Sequence, residues 1–246
     1  MVTVVILGGT KGIGRAVARR CAARGDRVFL LGRDAADLAR SAADLDVRAG
    51  RAVAAGTAVC DLADPDTFAP ALAAAAEALG TIDTVVVTAA DFATQDVLER
   101  DLDRTRRLLT LNFAHTVVFC EHARPYLLPR GGTLCVVSSV AGDRGRTPVI
   151  LYGASKAGLS QYLEGLDHKY RGAGLRVVCV KPGFVKTGMT AGLRPPPFAG
   201  EPDQVARDIV RAIDRGTPVV YTPAIWALVM FVIRRLPRAV MRRIGF

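Results

Sequence analysis

The chain has 246 residues, half of them hydrophobic and 23% charged, so it is long enough to bury a core and too apolar for a disordered segment. Its net charge of +10 favours an anionic partner and does not by itself choose between a phosphorylated ligand, a membrane surface and nucleic acid. Five cysteines at 21, 60, 120, 135 and 179, odd in number and without a C-x-x-C pair, suggest neither a disulfide framework nor a zinc site, and His115, His122 and His168 show no metal-ligand grouping.

The first predicted element is a strand over 2–7 in "MVTVVILGG", an apolar run with no basic leader or cleavage site, which suggests a cytoplasmic protein. It passes into "LGGTKGIGRAVA". There the missing Cβ atoms of Gly8, Gly12 and Gly14 permit a pyrophosphate to approach free N–H groups at a helix N-terminus. A strand, a glycine turn and a helix in succession are the context that such a motif requires. The second strand, 27–31, ends in "FLLGRD". Where a carboxylate would accept hydrogen bonds from the ribose hydroxyls of NAD, the chain has Gly32 and Arg33. Lys11 lies in the glycine turn, and two cations near the adenosine ribose favour a 2′-phosphate and hence NADPH.

Further strands are predicted at 57–60, 84–88, 133–138, 176–181 and 219–221, alternating with Ala-, Leu- and Arg-rich helical stretches. Seven strands with intervening helices and no linker give a single doubly wound α/β domain of Rossmann type over 1–223. It has a seven-stranded parallel sheet and helices on both faces. The prolines and glycines of "GLRPPPFAGEP" predict an irregular substrate loop at 188–202. In "LYGASKAG", Tyr152 and Lys156 are four apart and share one face of a helix. A cation held beside a phenol favours the phenolate, so the pair could exchange a proton nearer neutrality; an ordinary amphipathic helix shows the same spacing.

Together these residues resemble the short-chain dehydrogenase/reductase family over nearly the whole chain. The family's G-x-x-x-G-x-G falls on Gly8, Gly12 and Gly14, and "CDLAD" places Asp61 and Leu62 where the family contacts the adenine ring. "VVSSVAG" offers Ser139, "LYGASK" supplies the Y-x-x-x-K signature, and Asn112 in "LTLNFA" matches the family's helix Asn. "KPGFVKTGM" matches its P-G-x-V-x-T segment. One motif departs: the family's N-N-A-G after the fourth strand is here Val87-Thr88-Ala89-Ala90, without the Asn side chains that bridge backbone groups inside the sheet.

The resemblance implies NADP(H) bound by Gly8, Thr10, Lys11, Gly12, Ile13, Gly14, Arg33, Asp61, Leu62, Ala89, Tyr152, Lys156, Pro182, Gly183, Val185 and Thr187. It implies reduction of a ketone in which Tyr152 donates the proton and Lys156 lowers the tyrosine pKa and holds the nicotinamide ribose. Ser139 would bond the carbonyl oxygen, Asn112 would position a water that resupplies protons, and Thr187 with the Val185 backbone would orient the carboxamide. It further implies a homo-oligomer.

The tail, 224–246, reads "AIWALVMFVIRRLPRAVMRRIGF". Its apolar stretch is shorter than the ~20 residues of a spanning helix. It is followed by Arg234, Arg235, Arg238, Arg242 and Arg243 without an acid, the distribution of a segment lying beside anionic headgroups with Trp226 at their level. The other reading is a helix packed on the domain or on a second subunit, closing the substrate pocket. The tail resembles that of family members acting on decaprenylphosphoryl-2-keto-β-D-erythro-pentofuranose. This implies a lipid-phosphate keto sugar as substrate and a flavin oxidase partner that makes the ketone. A reductase of another keto sugar, lipid or acyl thioester, a catalytically silent nucleotide sensor or scaffold, and a nucleic-acid protein are the alternatives. The last is disfavoured because the arginines lie among bulky aliphatics without stacking aromatics.

Overall fold

The computed structural model describes residues 1–244. Consecutive apolar residues, rich in Val and Leu, form the strands, because a parallel sheet covered by helices is dry on both faces. In chain order the elements are β1 (Thr3–Leu7), α1 (Gly12–Arg24), β2 (Arg27–Gly32), α2 (Ala35–Ala49), β3 (Ala54–Val59), α3 (Phe68–Leu79) and β4 (Thr84–Val87). They continue with α4 (Gln95–Arg100), α5 (Leu102–Leu109), α6 (Thr116–Leu127), β5 (Thr133–Val137), α7 (Ile150–Tyr170) and β6 (Arg176–Pro182). The last are α8 (Pro202–Arg215), β7 (Val219–Thr222), α9 (Ile225–Ile233) and α10 (Arg238–Ile244).

The seven strands are parallel, in the order β3-β2-β1-β4-β5-β6-β7, as the doubly wound expectation requires. Alternate residues face opposite layers. Val4, Ile6, Val28 and Leu30 pack with α1, α2 and α8, while Val5, Leu7, Val85 and Leu134 pack with α3, α6 and α7. The chain leaves β1 and β4 toward opposite sides, and the crevice opens at their carboxyl ends.

One strand boundary differs from expectation by more than a residue. β3 begins at residue 54, not 57, because Gly56 (φ +148) sits at a bulge against β2, where a Cβ would lie 2.7 Å from the Phe29 ring. Glycine here marks a bulge within the strand, not a boundary. The irregular loop ends where Pro202 opens α8, a position that lacks an N–H partner in any case.

The tail forms α9 and α10, and Gly245 and Phe246 lie outside the described residues. Trp226 and Met230, four apart, pack against Val140, whereas Leu228 and Phe231 on the other side are 62% and 56% exposed. The expectation that Trp226 sits at headgroup level is corrected, since it is only 6% exposed. Its indole lies over Gly183, where the missing side chain makes room for it: a Cβ there would be 2.1 Å from Nε1. Among the described residues, no helix is long and apolar enough to cross a membrane.

Candidate active site

The glycine turn follows β1, with Gly8 at φ +89 and Gly12 at φ +51. A Cβ on Gly14 would lie 2.2 Å from the Gly8 oxygen, and one on Gly8 would lie 2.7 Å from the Ala89 nitrogen. Only glycine lets the turn fold this tightly. The α1 N-terminus, which Thr10 and Lys11 precede and Gly12, Ile13 and Gly14 open, has no side-chain cap and no acid in its first turn. Its N–H groups suit an anion. Gly12 also lies close to Thr187, its absent Cβ 3.3 Å from the Thr187 methyl, beside a cleft of about 740 Å³ whose walls include Arg15, Arg19 and Lys186 as well as Glu201 and Asp203, with Arg19 paired to Asp44 and Lys186 to Glu201. A backbone cradle that a Cβ would fill, at an uncapped helix end, fits a dinucleotide.

The departure from N-N-A-G is compensated locally. Thr88 Oγ1 donates to the Leu7 oxygen at 3.1 Å and lies 3.3 Å from that of Gly8, so a hydroxyl takes over the bridging of backbone groups expected of Asn. Arg33 is exposed at the end of β2. Lys11 Nζ lies 3.2 Å from Asp37 in α2, a contact the sequence reading missed. Hydrogen bonds from Arg40 and then Lys11 hold the Asp37 carboxyl below the usual range. Asp61 accepts from the Ala63 N–H at 2.9 Å, and the Leu62 side chain is turned into the core.

Ser139, Tyr152 and Lys156 are brought together by the approach of the β5 end to the start of α7. Gly142 and Gly153 allow this: a Cβ on the first would meet the Ala157 nitrogen at 2.7 Å, and on the second the Ala141 oxygen at 2.8 Å. Lys156 is buried, with Nζ donating to the Val137 oxygen at 3.1 Å and lying 5.8 Å from the centre of the Tyr152 ring. Ser138 and Ser160 hold its turn by donating to the Lys156 oxygen at 3.0 and 2.8 Å. Phe92 packs edge-on against Tyr152 at 5.1 Å.

Burial pushes the Tyr152 phenol up to about 12, only partly offset by the Ser139 hydroxyl and the Arg146 charge. This corrects the expectation of a phenol lowered by Lys156. The lysine is itself desolvated, its pKa falling from 10.5 to about 8, and its ammonium is turned to the Val137 carbonyl, 5.8 Å from the centre of the phenol ring. Arg146, partly buried ahead of α7, was not anticipated as a charge on Tyr152.

Asn112 is fully buried on a π-helical turn, Thr110–His115, that joins α5 to α6. Such turns recur at functional sites. Its Nδ2 donates to the Asp91 oxygen and its Oδ1 accepts from the Asp91 N–H, both at 2.7 Å, which leaves one N–H and one lone pair for further bonding. Pro182 ends β6, Gly183 N–H donates to the Thr222 oxygen at 3.1 Å, and the Val185 oxygen accepts from Thr190 Oγ1 at 2.7 Å. Thr187 caps the short turn that starts the substrate loop.

The pattern of the family described as short chain dehydrogenase matches residues 2–197. An uncharacterized oxidoreductase of Mycobacterium tuberculosis is 38% identical over 243 residues, covering 98% of this chain and 96% of its own. The carbonyl reductase family member 4 of Xenopus tropicalis is 29% identical over 214 residues, covering 83% and 88%. A solved short-chain type dehydrogenase/reductase from Mycobacterium ulcerans shares the fold, with a TM-score of 0.82 over 98% of both chains at 22% identity. The chain belongs to the short-chain dehydrogenase/reductase family, and is an NAD(P)-dependent oxidoreductase acting on CH–OH or C=O groups.

Proposed function

We propose that this chain is an NADPH-dependent ketoreductase whose ketone is carried by a lipid-linked phosphosugar. The reaction is the reduction of a polyprenylphosphoryl 2-keto pentofuranose, such as the decaprenyl compound, to the arabinofuranose alcohol. A flavin oxidase acting first would make this the second half of a 2-epimerisation. The observation that carries the substrate reading is the outer side of α9, where Leu228, Phe231 and Val232 are exposed and apolar and lead into five arginines without an acid. The name carbonyl reductase borne by the frog relative supports the direction of the chemistry.

When bound, NADPH supplies the hydride that reduces the carbonyl carbon. Tyr152 is the general acid. Its pKa of about 12 keeps the proton on the phenol at neutral pH, so that it can be given to the oxygen as alkoxide charge develops. Ser139, on the turn facing Tyr152, donates to the same oxygen. Lys156, at about 8, exchanges protons close to neutrality and restores the phenol. The free N–H of Asn112 holds the water that completes this relay. Val185 and Thr187 orient the nicotinamide, and the glycine turn from Gly8 to Gly14 with Ala89, Pro182 and Gly183 lines the dinucleotide. Asp61 and Leu62 bound the adenine end.

Arg33 and Lys11 select the 2′-phosphate. Lys11 is shared with Asp37, so Arg33 carries most of the discrimination. Arg33→Asp is expected to shift the NADPH-to-NADH ratio of kcat/KM by about 10-fold or more toward NADH, the weight of a charge-assisted contact replaced by a repulsive one. An unchanged ratio would remove Arg33 from the site.

The arginines and exposed aliphatics of the tail dock on an anionic bilayer surface, bringing the enzyme to a lipid substrate. In sedimentation with anionic vesicles, the full chain is expected to bind and a chain ending at residue 223 to remain in the supernatant; equal binding would acquit the tail. The substrate itself is tested by NADPH oxidation with a polyprenylphosphoryl 2-keto pentose, a soluble keto sugar and a ketoacyl thioester. Preference for the thioester would overturn the lipid-sugar reading while keeping the reductase.

A further inference from the structure

The tail reaches the active site at three points through one side chain. The Trp226 indole lies on Gly183, so closely that a Cβ there would be 2.1 Å from Nε1 and 2.2 Å from Cε2. The same Nε1 donates to the Phe198 oxygen at 3.3 Å, in the loop between Thr187 and Pro202. Trp226 and Met230 pack against Val140, the residue after Ser139. One ring thus touches the segment leading to Val185 and Thr187, the substrate loop, and the turn of the site serine.

The surroundings make this a rigid junction. Asp143, buried on the Ser139 turn, accepts from Lys181 Nζ on β6 and from the Tyr221 hydroxyl on β7, each at 2.6 Å. Arg144 on that turn donates to the Leu236 oxygen at 2.7 Å, after the end of α9. The loop is different. Met189, Leu193 and Phe198 are exposed, and Phe198 has a left-handed backbone, φ +65, which a non-glycine residue adopts only when something holds it. The turn that carries it is closed by the Ala199 N–H donating to the Pro196 oxygen at 3.2 Å, and the Trp226 N–H ties that turn to α9 through the Phe198 carbonyl at 3.3 Å.

We infer that Trp226 is a positioning residue for the reduction: its N–H holds the substrate loop against the Gly183 segment and the Ser139 turn, and thereby sets the fit of the ketone. The kinetic part rests on the reductase reading, whereas the structural part does not. Trp226→Phe keeps a ring over Gly183 and Val140 and removes only the donor; Trp226→Ala removes both.

The experiment compares wild type and the two variants by chymotrypsin cleavage after Phe198, by NADPH affinity, and by steady-state kinetics on a ketone the wild type reduces. For Trp226→Phe, cleavage after Phe198 is expected to accelerate by about 3- to 10-fold, the effect of one hydrogen bond on the opening equilibrium of the loop. KM for the ketone rises by a similar factor, with the change in KM and not in kcat, while NADPH affinity and the thermal midpoint hold. Trp226→Ala is expected also to weaken NADPH binding, because the Gly183 segment loses its backing. Wild-type cleavage and KM in Trp226→Phe would overturn the inference. So would a Trp226→Ala protein that melts earlier but keeps wild-type constants in its folded fraction, which is a purely structural role. If the wild type reduces no ketone, the reductase reading fails, and the cleavage rates still decide whether Trp226 holds the loop.

Discussion

Tyr152→Phe is expected to lower kcat/KM by about 10²- to 10⁴-fold, the range that a positioned general acid contributes. The substitution removes one hydroxyl. The ring keeps its edge contact with Phe92, and neither the glycine turn nor the Thr187 segment is touched. NADPH affinity and the thermal midpoint should therefore stay close to wild type, and the loss should appear in single-turnover reduction. Because burial already holds the phenol at about 12, removing it takes away a neutral donor and not a phenolate, so the defect should be as deep at pH 6 as at pH 8. A variant that turns over at the wild-type rate would end the assignment of Tyr152 as proton donor.

Lys156→Met should cost a similar factor in turnover and, in addition, change how stability depends on pH. Burial holds the folded ammonium at about 8 against 10.5 for the ordinary side chain. Between these values the unfolded chain keeps the proton and the folded chain has shed it. Folding then releases a proton, and stability rises with pH across that window. Below it both states are protonated and the desolvation cost is borne in full; above it the cost is gone. The displacement corresponds to a gain of about 3 kcal/mol across the window for wild type relative to Lys156→Met. Buried thiols work in the opposite sense, as Cys21 and Cys60 are pushed up to about 12, but they are common to both proteins and cancel in the comparison. Denaturation midpoints measured from pH 7 to 10.5 check this; parallel curves for the two proteins would show that Lys156 enters the fold without a protonation penalty.

If Trp226 holds the loop, the tail matters to catalysis whether or not a membrane is present. The buried side of α9 carries Trp226 and Met230 and the opposite side carries Leu228 and Phe231, so one helix presents the active site with one face and the surroundings with the other.

Much of this protein was legible in the order of its residues. Period and composition placed six strands within a residue or two, because a strand buried on both faces admits little besides Val, Ile, Leu and Cys, and glycines with left-handed φ are forced wherever the backbone turns on itself. The spacing of Tyr152 and Lys156 and the family motifs named the side chains that meet Ser139. Folding decided the rest, since it depends on which distant groups share a volume. Thr88 bridges backbone groups where Asn was expected because its hydroxyl reaches the Leu7 carbonyl. Asp37 claims Lys11 because α2 returns past the glycine turn. Lys156 is lowered and Tyr152 raised because the fold desolvates the two polar groups, an outcome of packing that a four-residue spacing does not contain. Trp226, an interfacial residue by its neighbours in the chain, is an interior one by its neighbours in space, because Gly183, forty-three positions earlier, leaves the gap into which its ring fits.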